Sequence, residues 1–248
     1  MEFLLIFAVG LAFGSFLNVV ISRLKTRQNI VFGGSFCPEC KTPLRWYDLI
    51  PLLSFIYLRG RCCYCHKKIS WQYPIVELIS GLLWVLIFYN FGISLINIYY
   101  IFIFSALLVI AVYDFKWQII PDKIVYPAIV IAFVYNALNA TFLIVASSAF
   151  LFFFLIYFFS KGYAMGLGDA KLAFLIGLFL SPLSAATTFI LAFVLGAASG
   201  IMLIVLGQIF PDYRKWGMKS QIAFGPFLVL GVFIAFFFSD FINNFLIF

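Results

Sequence analysis

The sequence predicts an all-α polytopic membrane protein of about eight transmembrane helices, with one small water-facing insertion after the first. Three observations carry that prediction: composition, the length of the uncharged runs, and the placement of the basic residues. Of 248 residues, 65% are hydrophobic, 21% aromatic and 10% charged. A soluble domain averages about 45–50% apolar and about 25% charged residues. Surface-to-volume scaling leaves a chain of this length no room to hide such an excess from water. Lipid must be the main solvent, which excludes a soluble enzyme, a disordered chain and a disulfide-knit secreted module.

Five uncharged runs are long enough to cross a bilayer. Phe3–Ser22 has 20 residues, Leu78–Tyr113 36, Ile124–Ser160 37, Leu172–Pro211 40 and Ile222–Ser239 18. A spanning helix needs about 20 apolar residues, so the outer runs are single spans and the middle three are double. Polar breaks divide each double run: Asn90-Phe-Gly92 to Asn97, Asn136 to Asn139, and Ser181-Pro182 to Ser184. A closed β-barrel is the other permitted membrane fold, but runs such as Phe150–Phe159 do not alternate as barrel strands do.

Eight spans alternate sides, and all 16 Lys and Arg fall on one of them. Nine lie in residues 23–73, and Lys116, Lys123, Lys161, Lys171, Arg214, Lys215 and Lys219 occupy the later loops on that side. The positive-inside rule makes this face cytosolic and puts both termini outside. The first helix has its cations after the apolar stretch and no small-residue cleavage site before them, so it reads as an uncleaved anchor. The chain divides into a first transmembrane helix (1–22), a cytosolic domain (23–73) and a seven-helix membrane domain (74–248).

The cytosolic domain contains Cys37-Pro-Glu-Cys40 and Cys62-Cys63-Tyr-Cys65. Two C-x-x-C knuckles supply four thiolates for a tetrahedral site, in a zinc-ribbon-like arrangement, and a cytosolic setting disfavours disulfides. Cys37, Cys40, Cys62 and Cys65 are the expected ligands of a structural zinc ion. Cys63 competes with Cys62, and His66 reads as a loop residue. Four protein ligands close the coordination sphere, and metal binding supplies folding free energy to a thin core.

Seven of the nine acids lie on the cytosolic side; Glu2 and Asp240 do not. Glu77, Asp114, Asp122 and Asp169 adjoin apolar spans. From Asp169 to the break at Ser181 is about 12 residues, or ~18 Å of helix, too short for the bilayer, which places Asp169 below the headgroups. Ionisable groups at such depth mark function by default. No membrane-embedded His, Cys or Lys is available as base or nucleophile partner, which argues against a serine–histidine mechanism, and no H-E-x-x-H motif is present. Two aspartates at one depth would share a proton: the ionised one activates water and the protonated one polarises a carbonyl. Gly166 and Gly168 would let an extended peptide approach. The competing reading makes both acids helix-end residues, with Asp169 an N-cap. Glu77 reads equally as a substrate contact and as a partner of the helix dipole.

Read together, these motifs resemble the prepilin peptidases, or type IV leader peptidases, which are GxGD-type intramembrane aspartyl proteases. The resemblance rests on Gly14-Ser-Phe-Leu-Asn18 through Arg23, and on Cys37-Pro-Glu-Cys40, Trp46-Tyr-Asp48-Leu-Ile-Pro51 and Arg59-Gly-Arg61. It continues through Ile69-Ser-Trp-Gln-Tyr73-Pro74-Ile-Val-Glu77, Asp114 with Ile120-Pro121-Asp122, Gly166-Leu-Gly168-Asp169-Ala-Lys171, and Phe224-Gly225-Pro226-Phe227. It implies that Asp114 and Asp169 are the catalytic pair, with Asp122, Gly166, Gly168, Lys171 and Glu77 in support. It implies removal of the short basic leader of type IV prepilins or pseudopilins at the cytosolic face, after Gly and typically before Phe. N-methylation of the new terminus with S-adenosylmethionine would follow. Localisation would be the bacterial inner membrane, with the lipid bilayer as partner and no nucleic acid. A helical-bundle transporter is the alternative, with inverted repeats and midplane charges; a member with peptidase activity alone is another. Cys63 departs from the family pattern, where a basic residue is expected.

Overall fold

A computed structural model of the protein describes residues 1–26, 28–29, 33–136, 138–209 and 223–238. Arg27, Arg214, Lys215, Lys219, Asp240 and both ends of the run Ile222–Ser239 lie outside the described residues. Within them the fold is helical, and β structure is confined to two isolated bridges in the insertion, Phe36 with Pro43 and Arg61 with Lys68. The helices are α1 (Glu2–Thr26), α2 (Leu53–Tyr57), α3 (Gln72–Phe91), α4 (Ile96–Trp117), α5 (Asp122–Asn136), α6 (Ala140–Ser160), α7 (Leu167–Phe179), α8 (Pro182–Ile209) and α9 (Gly225–Phe237), with a 3₁₀ turn at Trp46–Leu49.

All three breaks read from the sequence separate helices: α3 from α4, α5 from α6 and α7 from α8. Among the described residues, eight helices of 13 residues or more fall on the apolar runs read from the sequence, but they are unequal. Five (α1, α3, α4, α6 and α8) are long and apolar enough to cross a membrane. Helices α5, α7 and α9 have 15, 13 and 13 residues, about 20–23 Å against the ~30 Å of hydrocarbon.

The chain forms two compact units, Met1–Val109 and Ile110–Phe248. In the first, α1 packs along α3. Lipid gives no hydrophobic drive for this, so close backbone approach and interhelical hydrogen bonds must provide it. A Cβ on Gly14 would stand 2.7 Å from the Glu77 Cα, so only glycine permits the observed approach. Ser80 Oγ donates to the Gly10 carbonyl at 2.8 Å across the same seam. At the end of the seam nearest the insertion, Asn18 is buried, donating to the Tyr73 carbonyl (3.1 Å) and accepting from Gln72 Nε2 (3.0 Å). The Arg23 guanidinium, also buried, gathers the carbonyls of Asn29, Gly33 and Gly34.

In the second unit α7 is the hub, packed by α5, α6, α8 and α9. It is apolar nearly all round, with Ala170, Leu172, Ala173, Leu175, Ile176, Gly177, Leu178 and Phe179 buried, as a helix enclosed by others must be. A Cβ on Gly177 would lie 2.5 Å from the Ala146 Cα of α6. The Leu178 carbonyl, left over in the last turn of α7, accepts from Asn136 Nδ2 at 2.9 Å.

Candidate active site and metal centre

The insertion builds its cysteine cluster from two equivalent turns. In the first, the Cys37 amide bonds to the Thr42 carbonyl (3.0 Å) and the Lys41 amide to the Cys37 carbonyl (2.8 Å); in the second, Cys62 pairs with Lys67 and His66 with Cys62, both at 2.9 Å. Lys41 and His66, each following the last cysteine of its knuckle, both take positive φ (59° and 57°). His66 thus serves as a turn residue, as its loop reading expects. The sulfurs of Cys37, Cys40, Cys62 and Cys65 all lie within 4.8 Å of one another, with Cys37 Sγ and Cys65 Sγ 3.9 Å apart. A tetrahedron with Zn–S bonds of 2.3 Å has sulfurs about 3.8 Å apart, so the cluster is sized to hold a metal ion such as zinc.

Its proton balance fits the same conclusion. Hydrogen bonds from the Thr42 side chain and backbone bring the Cys40 thiol down to about 6. The Lys67 amide lowers Cys65, but desolvation and hydrogen bonds with Cys62, Cys40 and Cys37 outweigh it and push that thiol up to about 11. Four neighbouring thiols cannot all ionise unless a cation neutralises them. Cys63 is outside the cluster; its thiol points to Asp48 Oδ1 at 3.6 Å, and it is Cys62 whose sulfur joins the other three.

The acids divide between the two units. Glu77 is buried in the first, where one carboxylate oxygen accepts from the Leu52 amide at 2.9 Å. It holds the insertion's chain, a role outside both readings weighed from the sequence. Asp114 and Asp169 belong to the second unit, are 5% and 9% exposed, and lie within electrostatic range of each other. Asp114 sits near the C-terminal end of α4 and Asp169 in the first turn of α7.

Each of these carboxylates is held by one glycine amide. Gly225 N–H donates to Asp114 Oδ2 at 2.9 Å, and Gly166 N–H to Asp169 Oδ2 at 3.1 Å. Gly225 opens α9 and Gly166 is the N-cap of α7, so both acids sit where a helix presents unpaired N–H groups and positive dipole. Asp169 does close its own helix start, as the helix-end reading proposes, though from the third helical position. Burial beside a second carboxylate is what that reading leaves unexplained.

The supporting residues are distributed around this pair. Asp122, first residue of α5, accepts from Lys171 Nζ at 2.6 Å, and Lys171 also lies over the Tyr126 ring at 5.0 Å, tying α5 to α7. A Cβ on Gly168 would meet the Ile120 Cβ at 2.9 Å, so this glycine admits Ile120 and not a peptide. Gly166 has open room: a Cβ there would find nothing closer than 3.6 Å. Gly225 is the residue sequence reasoning undervalued, reading its block only as a resemblance. The signal was Gly-Pro opening an apolar run, a helix start with free amides.

The fold and these groups define a polytopic helical membrane protein with a four-cysteine insertion and two buried carboxylates at helix starts. The description "Bacterial Peptidase A24 N-terminal domain" matches residues 8–91, and "Type IV leader peptidase family" matches residues 101–201. The chain is 36% identical over 203 residues to a prepilin leader peptidase/N-methyltransferase of Klebsiella pneumoniae, covering 75% of this chain and 89% of that one. It is 30% identical over 248 residues to the protein of the same name from Bacillus subtilis, covering 98% and 97%. No solved structure matches. The chain belongs to the type IV leader peptidase family, whose members are enzymes.

Proposed function

We propose that this protein removes the short basic leader from type IV prepilins or pseudopilins, cutting after Gly and typically before Phe, with Asp114 and Asp169 as the catalytic pair. The observation that carries the reading is the burial of these two carboxylates within electrostatic range of each other, each anchored through one oxygen by a glycine amide. Anchoring Oδ2 leaves Oδ1 of each acid for chemistry.

The ionised carboxylate takes a proton from water as the water oxygen bonds to the scissile carbonyl carbon. The protonated partner gives its proton to the carbonyl oxygen. Collapse of the resulting diol returns a proton to the departing nitrogen and breaks the C–N bond. Water is consumed, a carboxylic acid and an amine are released, and the pair regains one shared proton. Asp122 and Lys171 hold α5 against α7 and position Asp169, while Gly166 leaves space for the substrate backbone.

Cys37, Cys40, Cys62 and Cys65 hold a structural zinc ion that supplies folding free energy to the cytosolic domain (23–73). Residues 1–22 and 74–248 form the membrane part, with both termini outside and the zinc domain and aspartates on the cytosolic side of the bacterial inner membrane. The relatives' names support N-methylation of the new terminus with S-adenosylmethionine. The described residues contain no strand to carry a glycine-rich nucleotide fingerprint, and none marks a site for the methyl donor.

One experiment tests both activities. The full-length protein is incubated with a prepilin and methyl-labelled S-adenosylmethionine, beside Asp114→Asn and Asp169→Asn. Cleaved, labelled pilin is expected from the parent and uncleaved prepilin from both variants at equal protein level. Cleavage by both variants removes the pair, and unlabelled mature pilin removes the methyltransferase.

A further inference from the structure

The insertion carries large apolar side chains that neither the metal cluster nor the proposed chemistry uses. Leu53, Ile56 and Tyr57 of α2, and Trp71 just before α3, are between 66 and 86% exposed. Among the described residues only the Phe55 ring, against Trp71, covers part of this set. Their height relative to the membrane follows from two contacts within the first unit.

The first is the bond from the Leu52 amide to Glu77. Glu77 is the sixth residue of α3, about 7.5 Å along the axis from its start. Helix α3 has 20 residues, or ~30 Å, the thickness of the hydrocarbon, so its first residues mark the hydrocarbon boundary. The second contact is the close approach of Gly14 to the Glu77 Cα. Gly14 lies nine residues before Arg23 on α1, about 13 Å deeper than that cation. Both helices therefore place Glu77 beneath the boundary. A backbone amide bonded to its carboxylate is held at the boundary itself.

Helix α2 begins at the next residue, and the Phe55 ring packs on Trp71 with centroids 5.1 Å apart, keeping α2 beside the start of α3. The exposed set thus lies at the level where Trp and Tyr concentrate in membrane proteins. Charge agrees: residues 23–73 hold nine Lys and Arg against Glu39 and Asp48, a balance that attracts anionic headgroups.

We infer that Leu53, Ile56, Tyr57 and Trp71 form an interfacial anchor seated in an anionic lipid leaflet, so that the four-cysteine module lies on the membrane and does not hang from it on a free tether. The occupant of this face is lipid. Short apolar elements of this kind bind in the headgroup–acyl boundary through buried apolar area plus attraction to anionic lipid. The inference depends on α1 and α3 crossing the bilayer and is independent of the peptidase reading.

Photo-crosslinking in the full-length protein tests it. Ile56 or Tyr57 is replaced by p-benzoylphenylalanine, and Glu39, whose ion pair with Lys67 belongs in water, is replaced in a control. The proteins are reconstituted in vesicles of phosphatidylethanolamine and phosphatidylglycerol, checked for parental metal content, irradiated and analysed by mass spectrometry. Lipid adducts at 56 and 57 with none at 39 are expected. Absence of lipid adducts at 56 and 57, crosslinks there to a second copy or another protein instead, or equal lipid labelling at 39 would each overturn the inference.

Discussion

Gly225→Ala isolates what positioning of Asp114 is worth. The added Cβ would stand 2.7 Å from Asp114 Oδ2, 3.2 Å from its Cγ and 3.3 Å from its Cβ, while ordinary contact begins at 3.4 Å. The carboxylate must therefore retreat by 3.4 − 2.7 = 0.7 Å. The same movement along the line to the Gly225 amide lengthens their bond from 2.9 Å to about 3.6 Å, beyond hydrogen-bond reach. A hydrogen bond to a charged group contributes about 1.5–3 kcal/mol, and displacing a reacting group by ~1 Å costs about 100-fold in rate. Leader cleavage should fall by roughly ten- to several-hundred-fold, expressed in kcat with KM little changed. The backbone at 225 is not in the left-handed region, so the helix start tolerates alanine, and the lost bond should lower the melting temperature by only about 3–10 °C. Gly196→Ala is the matched control, since its Cβ would make only ordinary contacts of 3.5 Å or more with the Phe224 and Phe227 rings. Steady-state cleavage of a purified prepilin by the three proteins decides the matter. Parental kcat in Gly225→Ala, or an equal loss in Gly196→Ala, would refute the positioning argument.

Two further outcomes follow from the same geometry. Replacing Cys37 and Cys40 by serine should abolish metal binding, read as zinc per chain by elemental analysis, and speed amide hydrogen exchange across residues 33–70; full retention of zinc would contradict the four-sulfur site. Lys171→Met should be mild. The Lys171–Asp122 pair is partly exposed, with side chains 18% and 57% accessible, so its loss should cost about 1 kcal/mol or less in stability and only a few-fold in cleavage, measured by thermal unfolding and kinetics.

The helices and their breaks were legible because lipid imposes a length rule on apolar runs and polar interruptions stand out against it. Asn136 ends α5 before α6 opens at Ala140, and α8 opens at Pro182 after α7 ends at Phe179. The rule does not fix where each helix stops: α7 begins at Leu167, before the uncharged run at Leu172, and α9 begins at Gly225, after the run opens at Ile222. Spacing named four of the five cysteines, and only the three-dimensional turn, with Cys63 directed at Asp48, chose between adjacent thiols. The aspartates were visible as charges beside apolar spans. Their glycine donors were less so, because Gly225 is 111 residues from Asp114 and no periodicity links positions so far apart. The Leu52–Glu77 bond was hidden for the same reason.

Arg23 illustrates how one cation serves two stages in a membrane protein's life. A cation just after an apolar helix is, as a rule, a charge that resists translocation and biases the direction of the helix. In the folded protein the Arg23 guanidinium donates to the carbonyls of Asn29, Gly33 and Gly34, so it ties these three residues to the end of α1. Lysine would keep the first role and forfeit the second, since a compact ammonium lacks the planar fork that engages several oxygens at once. A residue type that serves as a guidance signal in biogenesis is thereby a clasp in the mature protein.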